Sequence, residues 1–341
     1  MDFKVITLDK PQEWEYILSR VKTYDFYHTA SYHRLDKSGD SKLLVFQEGN
    51  EVMALPLIVR KIKDTPFQDV TSVYGYGGWI RSQAANLPDV SEILRDYFHK
   101  EKIVSAFSRI HPIIEGAGLF PVGTVEDSNL TSGIDLLQEP LVQRENYSRS
   151  VKRAINKGRK SGIQVRISKS MDDARLFSVI YQNAMLRLNA PAHLFFPSDY
   201  FEYLVQSNDF DAFVLLAELS GKIIGGAMFV VCNEFMEYHL GAMIDTYKQY
   251  SPIKLLIDEA RLIGNEKKLS ILHLGGGYGG QNDNLYTFKQ RMSSQTFMFK
   301  TWKWIVNEDI YNELSSGKNN TNYFPLYRAG NKRKNEYATT Y

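Results

Sequence analysis

The chain has 341 residues, 43% hydrophobic and 23% charged, which fits a folded protein of two domains of about 150 residues each. A net charge of +2 argues against a surface that coats polyanions generally, and a single cysteine, Cys232, excludes an internal disulfide framework and a cysteine-built zinc centre. With 21 Tyr and 19 Phe, aromatic side chains can fill two cores and still line a site for flat polar ligands.

The first residues, Met1–Thr7, lack the charged head and apolar core of a signal peptide. No apolar run approaches the roughly 20 residues of a membrane span, so a soluble, cytoplasmic protein without membrane insertion is expected. Pro11 opens a short helix over 11–21, and another begins within Phe26–His33 with Thr29 or Ser31 as cap. Lys42–Phe46 and Val52–Val59 read as a β-hairpin. An aromatic and glycine strand follows at Val73–Ile80, then a proline-led helix at Pro88–Lys100 and an apolar strand at Ile103–Ile110. Residues 115–133 read as irregular, and Leu130–Leu137 as a strand closing the first unit.

Arg144, Arg149, Lys152, Arg153, Lys157, Arg159 and Lys160 then crowd one stretch against a single acid, Glu145. At helical spacing Arg149, Arg153, Lys157 and Lys160 share one face and Val151, Ala154, Ile155 and Gly158 much of the other. Such a face is either simply solvated or a rail for phosphates, of RNA or of a sugar-precursor diphosphate. Helices at Ser168–Leu188 and Ser198–Gln206 come next.

The opening phrase then returns. Phe213–Ala217 and Ile223–Val231 repeat the hairpin, Met236–Ile244 the aromatic and glycine strand, Pro252–Asn265 the helix and Leu269–Leu274 the apolar strand, with a further strand at Phe297–Val306. A repeated order of elements predicts two similar α/β domains, each with a mixed sheet, and a site in or beside the cleft between them. The boundaries are 1–146 and 164–314, joined by the basic helix of 147–163 and followed by a polar tail, 315–341, in which Tyr323–Arg328 docks.

That order is the order of the acetyltransferase-type (GNAT) fold, and its duplication resembles the FemA/FemB/FemX group. The segment 147–163 resembles the group's basic inter-domain helix, Met185–Arg187 its second-domain helix end, and 247–252 its strand-to-helix turn. Gly275–Gly280 followed by Phe288-Lys289 resembles its glycine loop and Phe-Lys pair, although Met292 stands where many relatives have a second aromatic. Ser72–Gly78 is similar to a looser branch linked with surface polysaccharide. The resemblance implies an acyltransferase that forms an amide on the amino group of a peptidoglycan or surface-polysaccharide precursor, with aminoacyl-tRNA as co-substrate and no bound cofactor or metal. An acyl-CoA-dependent sugar N-acetyltransferase is the alternative within the fold. A glycan- or nucleotide-binding protein with degenerate folds is the alternative of another class.

Gly275–Gly280 also satisfies G-x-G-x-x-G after a strand, but Gln281–Asn284 prolongs the loop where a dinucleotide site needs a helix. A permissive loop at Gly276 and Gly277, which lets backbone approach a substrate, is the better reading, with Asp283 as ligand or turn cap. Neither strand-to-helix turn, 81–88 or 245–252, contains the glycines that let backbone amides cradle a pyrophosphate, which disfavours CoA. Lys289 is the candidate donor to an oxyanion or phosphate, and His239 and His273 are the candidate acids or bases. Tyr74, Tyr76 and Trp79 are candidates for stacking on a sugar or nucleobase, and Arg109, Arg153 and Arg187 for gripping phosphate or carboxylate.

Overall fold

Each hairpin forms where a continuous apolar run is interrupted by a two-residue turn, and both copies behave alike. In a computed structural model that describes residues 1–82, 89–114, 119–277, 283–293, 295–318 and 323–329, the first half runs β1 (Asp2–Thr7), α1 (Pro11–Leu18), α2 (Ala30–His33), β2 (Asp40–Glu48) and β3 (Glu51–Lys61). It continues with β4 (Gln68–Thr71), β5 (Ile80–Arg81), α3 (Ser91–Lys100), β6 (Ile103–Ile110) and β7 (Thr124–Asp135). The second half runs α4 (Pro140–Glu145), α5 (Arg149–Lys160), β8 (Gln164–Ser168), α6 (Met171–Arg187) and α7 (Ser198–Gln206). After β9 (Asp211–Leu219), β10 (Lys222–Cys232) and β11 (Phe235–Met243) come α8 (Pro252–Glu266), β12 (Ile271–Gly275), α9 (Asn284–Gln290), β13 (Gln295–Ile305) and α10 (Glu308–Ser315).

Hairpin, strand, helix, strand therefore occurs twice, as β2-β3-β4-α3-β6 and β9-β10-β11-α8-β12. Within each copy the first three strands are antiparallel and the last two parallel. The two copies do not keep separate sheets. One mixed sheet runs in the order β1-β2-β3-β4-β6-β13-β7-β12-β11-β10-β9-β8. The merger comes from an exchange. The last strand of the second half, β13, lies against β6, and the last strand of the first half, β7, lies against β12. Both strands find their hydrogen bonds only by this exchange, which leaves no free edge between the halves.

Consecutive residues of β9 alternate between two cores, as strand geometry requires. Val214 and Leu216 face α6 and α7, whereas Phe213, Leu215 and Ala217 face α5 and α8. The basic helix is thus built into the second half. Ser148 caps it, Val151 and Ile155 pack on Leu255 and Ala260, and Arg149, Arg153, Lys157 and Lys160 point outward. Arg144, Arg159 and Arg261 converge on the buried carboxylate of Asp258 at 3.0–3.2 Å and tie α4 and α5 to α8.

The expected strand Val73–Ile80 is instead a loop, paired at Gly77 by a single bridge to Ile110 and at its end, Ile80–Arg81, to β3. Gly75 and Gly78 take φ of +99° and +106°, and a Cβ on Gly75 would lie 2.2 Å from the Tyr27 ring. The glycines therefore bend the chain and admit a neighbour. The irregular stretch foreseen for 115–133 is strand from Thr124 onward, stabilised by pairing on both sides with distant strands. Tyr327 and Arg328 dock as expected, both donating to the buried Asp69. Pro88, residues 115–118, Tyr278–Gly280 and the tail segments 319–322 and 330–341 lie outside the described residues. No described helix is long and apolar enough to cross a membrane.

Candidate active site at an unpaired gap

Parallel pairing between β11 and β12 covers Phe235–Glu237 and Ile271–His273 and then stops, although both strands run on. β11 continues beside β10, and β12 beside β7. A gap opens between them, where the facing edges pair with no described strand. Where it begins, the register of β10 and β11 shifts, with Met228 opposite Leu240 and Phe229 opposite Tyr238, so His239 is an extra residue. Such a bulge re-aims side chains.

Tyr238 packs on the α5–α8 side with Phe229, and Lys289 lies 5.7 Å from its ring centroid. Asp283 caps α9 by accepting the Tyr286 N–H at 2.8 Å, which fixes the helix that carries Lys289. The ammonium donates to the Gly276 carbonyl at 2.7 Å, beside Gly275, whose φ of +75° turns the chain out of β12. Burial pushes the Lys289 pKa down to about 8, against the opposing pull of Glu237 and Asp283.

His239 belongs to the opposite face. It is half-buried among Phe26, Tyr27, Tyr32, Tyr74 and Tyr200, and burial lowers its pKa to about 3. Tyr74 and Tyr76 stay partly exposed on the first half's loop. Tyr74 packs edge-on to Phe196 at 5.0 Å, and Tyr76 lies 5.6 Å from both His111 and His273. Arg109 is exposed, and its charge reaches Tyr74, Tyr76 and His193. The result is a tyrosine-rich cluster at the junction of the halves, with a cation at its edge.

At the closed end of the gap sits a buried polar cluster. His273 Nδ1 meets Glu237 at 2.8 Å, and His273 Nε2 meets Thr131 Oγ1 at 2.8 Å. His111 Nε2 lies 3.2 Å from Asp25 Oδ2 and 3.8 Å from Glu237 Oε1. Burial raises the Glu237 pKa to about 8 and lowers that of His273 to about 3, so near neutrality a protonated Glu237 donates to Nδ1 of a neutral His273. Asp25, His111 and Glu237 are close enough to suggest a metal set. The histidine argues otherwise. Its Nδ1 accepts the N–H groups of Ile113 and Ile114, so Nε2 carries the ring's proton and has no lone pair for an ion.

Residues 145–289 match the family model described as an acetyltransferase (GNAT) domain. Among solved structures, FemX aligns over 92% of this chain and 99% of its own, with a TM-score of 0.73 and 12% identity. The chain has a FemX-like fold. The structure of L-PGS from Bacillus licheniformis aligns over 87% of this chain and 92% of its own (TM-score 0.58, 13% identity). The C-terminal domain of a putative lysylphosphatidylglycerol synthetase from Agrobacterium fabrum aligns over 88% and 92% (0.57, 13%). No curated protein matches the sequence significantly.

In this FemX-like frame the residues singled out from sequence fall into three groups. Lys289, His239, His273, Tyr74, Tyr76, Arg109, Gly276, Gly277 and Asp283 gather around the gap or line the approaches to it. Arg149, Arg153, Lys157 and Lys160 form a separate outer face on α5, where Lys157 donates to the Gln249 carbonyl at 3.2 Å and the other three make no ion pair among the described residues. Arg187 is exposed at the end of α6, 3.7 Å from Asp245. Trp79 belongs to neither site. It is 1% exposed, packed against Phe46 and Phe120, because the turn at Gly78 sends it into the first half's core. His273 is wholly buried, a support for the gap's closed end and not a wall of the opening. Sequence reasoning missed Asp25, His111, Glu237, Tyr32 and Tyr200. Glu237 had a signal: a lone acid between Met236 and Tyr238, in a strand that His239 alone otherwise interrupts with an ionisable imidazole.

Proposed function

We infer that this chain is an acyltransferase that joins an acyl or aminoacyl group to an amine of a cell-wall or surface-polysaccharide precursor. The observation that carries the reading is the gap between β11 and β12, reached by Lys289 from one face and by His239 from the other. An activated ester entering from the Lys289 side presents its carbonyl in the gap, and the acceptor amine arrives from the side of the tyrosine cluster. Attack forms the C–N bond and breaks the ester C–O bond. Lys289, charged below about pH 8, donates to the developing oxyanion, and His239 takes the amine's proton. Tyr74, Tyr76 and Arg109 suit the sugar and an anionic group of the acceptor.

Aminoacyl-tRNA is the donor this reading favours. The turn between β11 and α8 is a tight helical one, Asp245–Tyr250, ending at Ser251 with φ +51°, and it offers no glycine cradle for a pyrophosphate. The outer face of α5 would track the RNA backbone. Incubation with charged tRNA and, separately, with acetyl-CoA, using amino sugars and lipid-linked precursors as acceptors, tests the donor and the reaction together. Transfer from acetyl-CoA alone rejects the tRNA donor, and transfer from neither rejects the enzyme reading in favour of a binding protein.

A further inference from the structure

Three hydroxyl and imidazole groups behind the gap form a chain whose direction can be worked out. Tyr32 Oη lies 3.0 Å from the Tyr74 carbonyl, and a carbonyl can only accept, so Tyr32 donates to it. Tyr200 Oη lies 3.2 Å from Tyr32 Oη, and Tyr32 has no proton left to give, so Tyr200 donates to Tyr32. His239 Nε2 lies 2.6 Å from Tyr200 Oη, whose proton is now committed, so Nε2 must carry a hydrogen and donate it. Reversing the last bond would leave two buried phenol oxygens facing each other with no proton between them, a costly arrangement.

A neutral imidazole has one protonated nitrogen, so the lone pair of His239 lies on Nδ1. Nδ1 makes no hydrogen bond to a described residue. The ring remains half-buried, and the sealed, unpartnered histidine nitrogens belong to His28 and His33, not to His239. Aromatic packing by Phe26 at 5.3 Å, edge-on, and by Tyr200, stacked at 6.0 Å, holds the ring's orientation.

We propose that Tyr200 and Tyr32 are positioning residues that lock His239 in the Nε2–H tautomer, so that Nδ1 is the atom that takes the proton of the acceptor amine. The proposal rests on the acyl-transfer reading above. As the C–N bond forms and the ester C–O bond breaks, the amine proton moves to Nδ1 and passes to the departing oxygen. Burial makes the imidazolium unfavourable, so the ring returns to neutral within the same turnover.

The ring nitrogens are read directly by ¹⁵N NMR on the full-length protein with labelled histidine, which separates protonated from bare nitrogen without any substrate. The wild type should show Nε2 protonated and Nδ1 bare. Tyr32→Phe keeps the ring that packs edge-on to His239 and removes only its hydroxyl, which frees the Tyr200 hydroxyl to turn and donate to Nε2. This variant should move the proton to Nδ1 and lower kcat about tenfold to a hundredfold, with KM little changed. Tyr200→Phe should leave a mixture of tautomers and an intermediate loss of kcat. A wild-type spectrum with protonated Nδ1 overturns the proposal, as does an unchanged kcat in Tyr32→Phe once its tautomer has switched. Neither result touches the acyl-transfer reading. Absence of transfer from every donor overturns that reading and the proposal with it.

Discussion

In the first half the parallel strands β4 and β6 pair as far as Thr71 and Phe107, the chain leaves as a loop through Tyr74 and Tyr76, and it pairs again at Gly77 with Ile110. In the second half β11 and β12 pair as far as Glu237 and His273, and no further pairing joins them among the described residues. The same frame is thus closed in one copy and open in the other. The last rung differs too: a half-buried threonine beside a phenylalanine in the closed copy, and a buried acid–histidine pair in the open one. The closed copy uses its extra length as a wall, because its loop carries the tyrosines that face the other copy's opening. On the acyl-transfer reading proposed above, the duplication separates two tasks, with chemistry in the second half and part of the acceptor's seat in the first.

The largest effect is expected where the open copy is disarmed. Lys289→Ala should lower kcat by about 10²–10³-fold if the ammonium stabilises the oxyanion, whereas Thr71→Val at the closed copy's last rung should leave kcat unchanged. Equal losses in both would erase the division of tasks. The pH profile sharpens the same point. Lys289 loses its proton near pH 8, so kcat should fall above that value, and Lys289→Arg should carry the falling limb to higher pH.

Stability should distinguish the two rungs. Glu237→Ala leaves His273 Nδ1 without a partner in a dry site and should cost about 1–3 kcal/mol in denaturant unfolding. Thr71→Ala should stay within about 0.5 kcal/mol. The acid adds a pH signature. In the folded chain Glu237 keeps its proton up to about pH 8, and when unfolded it loses it near 4.5. The folded state therefore binds more protons across that window, and stability from this group falls as pH rises through it. Glu237→Gln removes the fall, so its Tm relative to wild type should climb from pH 4.5 to 8. A flat difference would place the proton elsewhere. The smallest effect concerns the outer face of α5. Reversing Arg149 and Arg153 should flatten the salt dependence of tRNA binding, by about 0.7 in log–log slope for each single-strand phosphate released, and leave transfer from a small donor mimic intact.

Much of the frame was legible in the sequence because both hairpins are pairs of short apolar runs broken by a turn, and prolines mark helix starts. Pro11 and Pro252 open α1 and α8, and Ile103–Ile110 is β6 to the residue. The exchange of β7 and β13 was not legible, since pairing partners so far apart in sequence leave no local signal; Asp135 pairs with Ile271 and Ile110 with Lys300. At the site, Lys289 and His239 stood out by chemical type. The cluster of Asp25, His111 and Glu237 did not, because its members are scattered through both halves and only the merged sheet brings them together.

That merger has a consequence for synthesis. During translation the first half emerges with β6 lacking the neighbour that finally covers it, because β13 ends at Ile305. The nascent chain must keep that edge unpaired until β13 has left the ribosome, a topology that folds slowly and offers a bare strand to other chains meanwhile. A gene fragment that stops after residue 146 would thus yield a half with an open edge, not a small domain able to stand alone.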